Sequence, residues 1–275
     1  MSSQPRAERE QRHSTGALAP GAVSALDQVR LFEARHDPQT RAVLADLPLS
    51  PSARCLEVGA GAGSVAHWLC EQVPHGGVVA LDIDVRYLDP TAHRNLEIRH
   101  EDVTTAQFAP GSFDLVHARG VLAHLPDPES VLHRMVPWLV PGGWLVVEDF
   151  YHLPPEDAPT PVGRALLGGY RRQMADSGAD LRWARRLPRA LTGAGLESVK
   201  ARVTPAGPGQ SSLDDELIGL RLRQEGSILV ERGLVMREEL DAFVLELGTE
   251  GAWDITVLAT SAWGRRRAEH QEVSP

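Results

Sequence analysis

Along residues 54–148, short apolar runs alternate with stretches whose apolar residues recur at helical spacing. Arg54 to Val58 reads as a short buried strand, and Ser64 to Val73 as a helix presenting Val65, Trp68 and Leu69 on one face. Further strands are predicted at Val78 to Leu81, Leu96 to Arg99, Phe113 to Val116 and Trp144 to Glu148. Asp127-Pro128-Glu129 supplies an N-cap, a proline at the first helical position and an acid in the first turn. The helix begun there buries Val131, Leu132, Met135, Val136 and Leu139, and Pro141-Gly142-Gly143 ends it. Strands that alternate with helices imply βαβ units and a parallel sheet.

The flanks are less regular. Val23, Leu26, Val29 and Phe32 predict a helix from Ala22 to Arg35, with a second short helix starting after Asp37-Pro38. Downstream, Leu196 to Val203 and Asp254 to Ala259 read as two more strands, about fifty residues apart. Two helical stretches lie between them, one carrying Leu213, Leu217 and Leu220, the other Leu240, Phe243, Val244 and Leu247. With Val162 to Asp176, these read as additions that roof an active site, or as packing helices without substrate contact.

Composition narrows the partners. A chain of 275 residues fits one large domain or one domain with an insertion, and 42% hydrophobic residues is ordinary for a globular protein. A formal charge of −9 argues against a surface that tracks nucleic-acid phosphates. The arginines at 182, 185, 186 and 189, and those at 265–267, read as solvated faces and a charged tail. Cys55 and Cys70 have neither metal spacing nor a disulfide framework, and both sit in apolar patterns as buried thiols. Residues 1–20 are polar and non-periodic, the mark of a disordered tail. No run approaches the roughly 18 apolar residues of a membrane span, and a cytoplasmic location is expected.

The segment Leu56-Glu57-Val58-Gly59-Ala60-Gly61-Ala62-Gly63-Ser64 carries the chemistry. Glycine lacks a Cβ, so these positions turn tightly and let a ligand touch the backbone. A dinucleotide-binding loop reads G-x-G-x-x-G and cradles a pyrophosphate. Here the third glycine comes one residue early, and Glu57 would repel a phosphate. A carboxylate beside the loop suits a ligand with an ammonium group. Glu57, Asp82, Asp102 and the segment His117 to Arg119 all follow predicted strands, at the sheet edge where ligands sit in such folds.

This pattern resembles the class I S-adenosylmethionine-dependent methyltransferases from about Ser52 to Phe150, through five motifs in that family's order. Glu57 to Gly63, with Gly59, Gly61 and Gly63, matches the first motif. The resemblance implies that Asp82 binds the ribose hydroxyls and Ile83 lies against the adenine. It implies that Asp102 accepts from the adenine amino group while Val103 packs on the ring. Ser112 to Arg119, including Ala118, matches the fourth-strand motif, and Leu125-Pro126-Asp127-Pro128 the helix after it. Val140 to Leu145 matches the turn into the fifth strand. The implied fold is α/β, a Rossmann-like seven-stranded, mostly parallel sheet with helices on both faces and a helical lid insertion. Its plan is a tail at 1–20, covering helices at 21–50, a cofactor-binding core at 51–153, a C-terminal part with lid insertions at 154–264 and a tail at 265–275. The wider pattern, including His36-Asp37-Pro38-Gln39-Thr40, is similar to bacterial small-molecule methyltransferases, many from natural-product pathways. One departure stands out. The family's last two strands form a short hairpin, whereas here about fifty residues intervene.

The expected activity is methyl transfer from S-adenosylmethionine to a small organic acceptor, with a hydroxyl favoured over nitrogen or carbon. Aligning nucleophile, methyl carbon and sulfur can contribute roughly 7–11 kcal/mol, and a base, most often histidine, typically adds about 10²–10⁴ in rate. His152 follows the fifth strand with Asp149 beside it to orient it or to act itself, and His124 lies past the fourth. His117 reads as completing its strand. No histidine is metal-spaced, and no metal is expected. Two alternatives stay open: a cyclase or eliminase using the same cofactor without transferring its methyl group, and an NAD-dependent oxidoreductase. The N-terminal helices and the insertion suit a lid or a homodimer contact, which periodicity does not separate.

Overall fold

The computed structural model describes residues 23–268; the predicted tail at 1–20 lies outside them. The elements run α1 (Val23–Ala45), β1 (Arg54–Val58), α2 (Ser64–Gln72), β2 (Gly77–Asp82), β3 (Leu96–His100), β4 (Phe113–Arg119), α3 (Pro128–Trp138) and β5 (Leu139–His152). They continue as α4 (Pro161–Asp176), α5 (Leu187–Gly193), β6 (Leu196–Ala206), α6 (Ser212–Glu231), α7 (Arg237–Glu246) and β7 (Val257–Arg266). The strands form one sheet in the order β3-β2-β1-β4-β5-β7-β6. Pairing is parallel from β3 through β5. This is the Rossmann-like, mostly parallel α/β fold that the sequence implies.

Burial explains why the central strands read as unbroken apolar runs. In β1 the four residues from Cys55 to Val58 are all buried, as are Val78 to Leu81 in β2. Successive side chains in a strand point to opposite faces, so both faces of the sheet are covered. Strand order reverses direction between β1 and β4, the switch point where open α/β sheets leave a crevice beyond the strand ends.

Three local expectations change. Pro38 lies inside α1 and does not start a new helix. Proline removes one helical N–H bond, and the helix is held on both sides of it by tertiary contacts. Phe32 and His36 pack on Phe150 with ring centroids at 5.3 and 4.8 Å. Beyond the proline, Thr40, Val43 and Leu44 are buried. Pro141-Gly142-Gly143 belongs to β5 and not to a turn outside it. Phe113 pairs with Leu139 and Leu115 with Trp144, so the extra residues bulge from the ladder, with Gly142 at φ +81°. The last two strands are longer than their apolar signals, and β7 continues to Arg266.

The chain forms two compact units. One comprises Gln39–Asp149, Trp183–Arg202 and, among the described residues, 260–268. Its core packs Cys55, Val65, Leu69, Val78, Leu115 and Val146. The other comprises, among the described residues, 23–38, Phe150–Arg182 and Val203–Ala259. It is built on α4, α6 and α7, around Val162, Leu166, Leu222, Leu229, Leu240 and Phe243. Among the described residues no helix is long and apolar enough to cross a membrane.

Candidate active site

β1 ends at Val58, and the chain turns at once. Gly59 has φ +72°, and a Cβ there would lie 2.2 Å from Val121 Cγ2. Gly63, at φ +90°, caps the start of α2, where a Cβ would meet Leu88 Cδ2 at 2.8 Å. Only glycine meets both demands, the left-handed backbone and the close approach. Between them the Gly61 N–H donates to Asp82 Oδ2 at 2.8 Å, while the Asp84 N–H donates to Asp82 Oδ1 at 2.9 Å. Burial pushes the Asp82 carboxyl above its ordinary value, against the pull of those two N–H groups. Asp82 thus ties the glycine loop to the end of β2.

The neighbouring strand ends complete this edge. Ile83 is partly buried, and its carbonyl accepts from His100 Nε2 at 2.8 Å. Past β3, Asp102 Oδ1 accepts from the Thr104 N–H at 2.7 Å and its hydroxyl at 2.6 Å, and Val103 is buried. Ala118 is buried in β4, paired with Val58 on one side and Val147 on the other. Glu57, the three glycines, Asp82, Ile83, Asp102, Val103 and Ala118 therefore come to one sheet edge.

Register explains a feature that periodicity missed. Glu57 and His117 are direct cross-strand partners, so their side chains share a face of the sheet. Glu148 lies two residues beyond Val146, the β5 partner of His117, and so falls on that face too. His117 is fully buried, with Nε2 3.3 Å from Glu148 Oε2 and Nδ1 3.8 Å from Glu57 Oε1. Burial alone drives His117 down and Glu148 up. The bond between them, with Glu57 beside His117 and two hydroxyls on Glu148, reverses both, leaving His117 at about 8 and Glu148 at about 2. Thr40 and Ser261 donate their hydroxyls to the two Glu148 oxygens. Thr40 in turn accepts from Arg119 at 2.9 Å and Ser261 from Gln39 at 2.8 Å. Glu57 Oε2 is buried and makes no hydrogen bond among the described residues. A buried carboxylate oxygen left so is costly in apolar surroundings. It suits a cationic group and opposes a phosphate, which is the chemistry of an amino-acid-bearing cofactor.

The candidate catalytic residues are divided between the two units, Asp149 and His124 in one and His152 in the other. Asp149 is buried and accepts from the Ala123 N–H at 3.0 Å, anchoring the turn at Leu122–His124. His124 is exposed at the end of that turn. His152 belongs to the helical unit, stacks on Tyr170 at 5.0 Å and donates its backbone N–H to Leu181. It lines a cavity of about 320 Å³ with Tyr151, Arg171, Asp180 and Arg182. Tyr170 is held from its other neighbour by Arg221, 3.7 Å over the ring. Among the described residues no three His, Cys, Asp or Glu side chains assemble as a metal-ligand set.

Fold and site together define the class: a Rossmann-like domain whose glycine loop is tied to an acid at the end of its second strand. Comparison agrees, for residues 56–145 match the family described as "Methyltransferase domain". That stretch is a methyltransferase domain, and S-adenosylmethionine is the cofactor of its class. The chain is 39% identical over 111 residues to methyltransferase str3 of Strobilurus tenacellus, a match spanning 38% of each chain. Among solved structures it is similar to phosphoethanolamine N-methyltransferase 2 of Haemonchus contortus in complex with phosphomonomethylethanolamine and S-adenosylhomocysteine. That likeness has TM-score 0.58 and 14% identity, over 90% of this chain and 58% of the other. The [4+2]-cyclase SpnF is also similar, at TM-score 0.55 and 14% identity, over 84% of this chain and 81% of the other.

Proposed function

We propose that this chain transfers the methyl group of S-adenosylmethionine to a small organic acceptor of natural-product type, with a hydroxyl the favoured site. One observation carries the cofactor half of this reading: the glycine loop is tied to Asp82 through the Gly61 N–H, beside a buried Glu57 oxygen that makes no hydrogen bond among the described residues.

When bound, the cofactor supplies an electrophilic methyl group on a sulfonium centre. The chain's part is to hold and orient. Glu57 offers its negative charge to the ammonium group, and the glycines let the backbone approach the amino-acid end. Asp82 accepts from the ribose hydroxyls, and Ile83 packs on the base. Asp102 accepts from the adenine amino group while Val103 covers the ring, and Ala118 closes the pocket wall. Asp149 keeps the turn carrying Ala123 in place. His152, in the cavity of the helical unit, takes the proton of an acceptor hydroxyl, its ring fixed by Tyr170.

The test is a panel of phenols, alcohols, amines and carboxylates incubated with the cofactor and read by mass spectrometry. The reading expects a product heavier by one methyl group and one S-adenosylhomocysteine per turnover. Failure across the whole panel, with cofactor bound, would count against transfer. A second reading keeps the cofactor as a fixed cation and catalyses cyclisation, favoured by the likeness to a [4+2]-cyclase. Product formed without cofactor consumption would select it.

A further inference from the structure

Arg134 of α3 makes a contact with no counterpart elsewhere in the described cofactor edge. Its guanidinium donates to three main-chain carbonyls of one turn: Val103 O at 2.9 Å, Ala106 O at 2.8 Å, and Thr104 O. That turn follows β3 and carries Asp102 and Val103. Its other face is closed locally. The Asp102 carbonyl accepts from the Thr105 and Ala106 N–H groups at 2.9 and 2.8 Å, and Asp102 Oδ1 is engaged by Thr104.

A guanidinium presents five donors in a rigid planar fork, which a lysine cannot reproduce. Three carbonyls converging on it form a clamp. Arg134 is itself well placed, because Asp127 caps α3 by accepting from the Ser130 N–H at 3.0 Å, and Val131, Leu132, Met135 and Trp138 bury the helix against its unit. Val103 and Ala106, the two residues whose carbonyls share Nη2, are both buried. The clamp therefore connects a packed helix to a turn that offers a carboxylate and a small apolar side chain.

We propose that Arg134 is a positioning residue for base recognition: by clamping the 103–106 turn it fixes Asp102 and Val103, and thereby sets the preference for a 6-aminopurine over a 6-oxopurine. The inference rests on the proposed role of Asp102 and Val103 toward the adenine. Asp102 rewards a ring amino group only if its own position is fixed, since a hydrogen bond weakens steeply with misalignment. A 6-oxopurine places an oxygen opposite the carboxylate and is rejected on the same condition. Loosening the turn removes reward and rejection together.

The test is calorimetric titration of S-adenosylhomocysteine and S-inosylhomocysteine into the intact chain, wild type, Arg134→Met and Arg134→Lys. The wild type should bind the adenine compound at least about tenfold more tightly, a difference of one well-formed hydrogen bond to a charged group. Arg134→Met should weaken the adenine compound by about tenfold and bring the two affinities within about threefold. Arg134→Lys, able to hold fewer of the three carbonyls, should fall between. A double-variant comparison with Asp102→Asn should show that Arg134→Met costs little more once the carboxylate is gone. A variant that binds both compounds more weakly but keeps the wild-type ratio has lost only packing, and that overturns the proposal, as does wild-type binding by Arg134→Met. If the folded wild type binds neither compound, the cofactor reading itself fails, and this inference fails with it.

Discussion

Replacing Glu148 by glutamine isolates the buried ion pair in the site. The carboxylate lies 3.3 Å from a fully buried imidazole, and both of its oxygens accept a hydroxyl. His117 is raised from 6.5 to about 8, and Glu148 is lowered from 4.5 to about 2. These are two ends of one contact, and the Glu148 end is larger because Thr40 and Ser261 also hold its charged form. The His117 end is held by Glu57 as well as by Glu148, so it sets the order of magnitude for the pair. At about 1.4 kcal/mol per pH unit, it amounts to about 2 kcal/mol. The sign follows from linkage. A raised histidine contributes fully below 6.5 and loses its contribution as pH climbs through about 8. A lowered carboxylate contributes above 4.5 and loses it as pH falls toward about 2. Both are in place between about pH 4.5 and 6.5. Urea unfolding at pH 6 should find Glu148→Gln less stable than wild type by about 2 kcal/mol. At pH 9 that gap should close or invert, because the wild type then buries a carboxylate beside a neutral ring. A gap that stays constant from pH 6 to pH 9 would refute the reasoning.

Two further outcomes follow from local geometry. Gly59→Ala should lose about 1–3 kcal/mol for a left-handed alanine, and a similar amount for the clash with Val121. Adding Val121→Ala should recover the second part and leave the first, as read by urea unfolding; an unaltered Gly59→Ala would contradict the described turn. For catalysis, His152→Ala should lower kcat by about 10²–10⁴ on a hydroxyl acceptor, while His124→Ala, at an exposed position, should leave it within about twofold. The reverse order would move the base to the loop after β4.

The fold was largely legible because a parallel sheet covered on both faces writes itself as apolar runs. Cys55-Leu56 and Val78 to Leu81 have that form, and the capped start of α3 at Asp127-Pro128 lies where the residues indicate. The glycine turn after β1 was legible for a second reason, since left-handed and crowded positions such as Gly59 admit one residue type. What was hidden depends on register and packing. Strand sequence alone does not say that Glu57 stands opposite His117, or that Glu148 falls on the same face. Nor does helical spacing say that Arg134 faces the 103–106 turn. Asp37-Pro38 is a sound helix start on local grounds; the buried side chains of Thr40, Val43 and Leu44 override it. His152 and Asp149 are close in sequence, yet Asp149 is taken by the Ala123 N–H and His152 lines a cavity in the other unit.

The most direct measurement of the central claim is calorimetric titration of S-adenosylmethionine and S-adenosylhomocysteine into the wild type and Asp82→Ala. Asp82 both holds the glycine loop, through the Gly61 N–H at 2.8 Å, and stands where the ribose hydroxyls are expected. The account predicts micromolar binding of both compounds to the wild type and its loss in the variant. Absence of binding to a demonstrably folded wild type would contradict it.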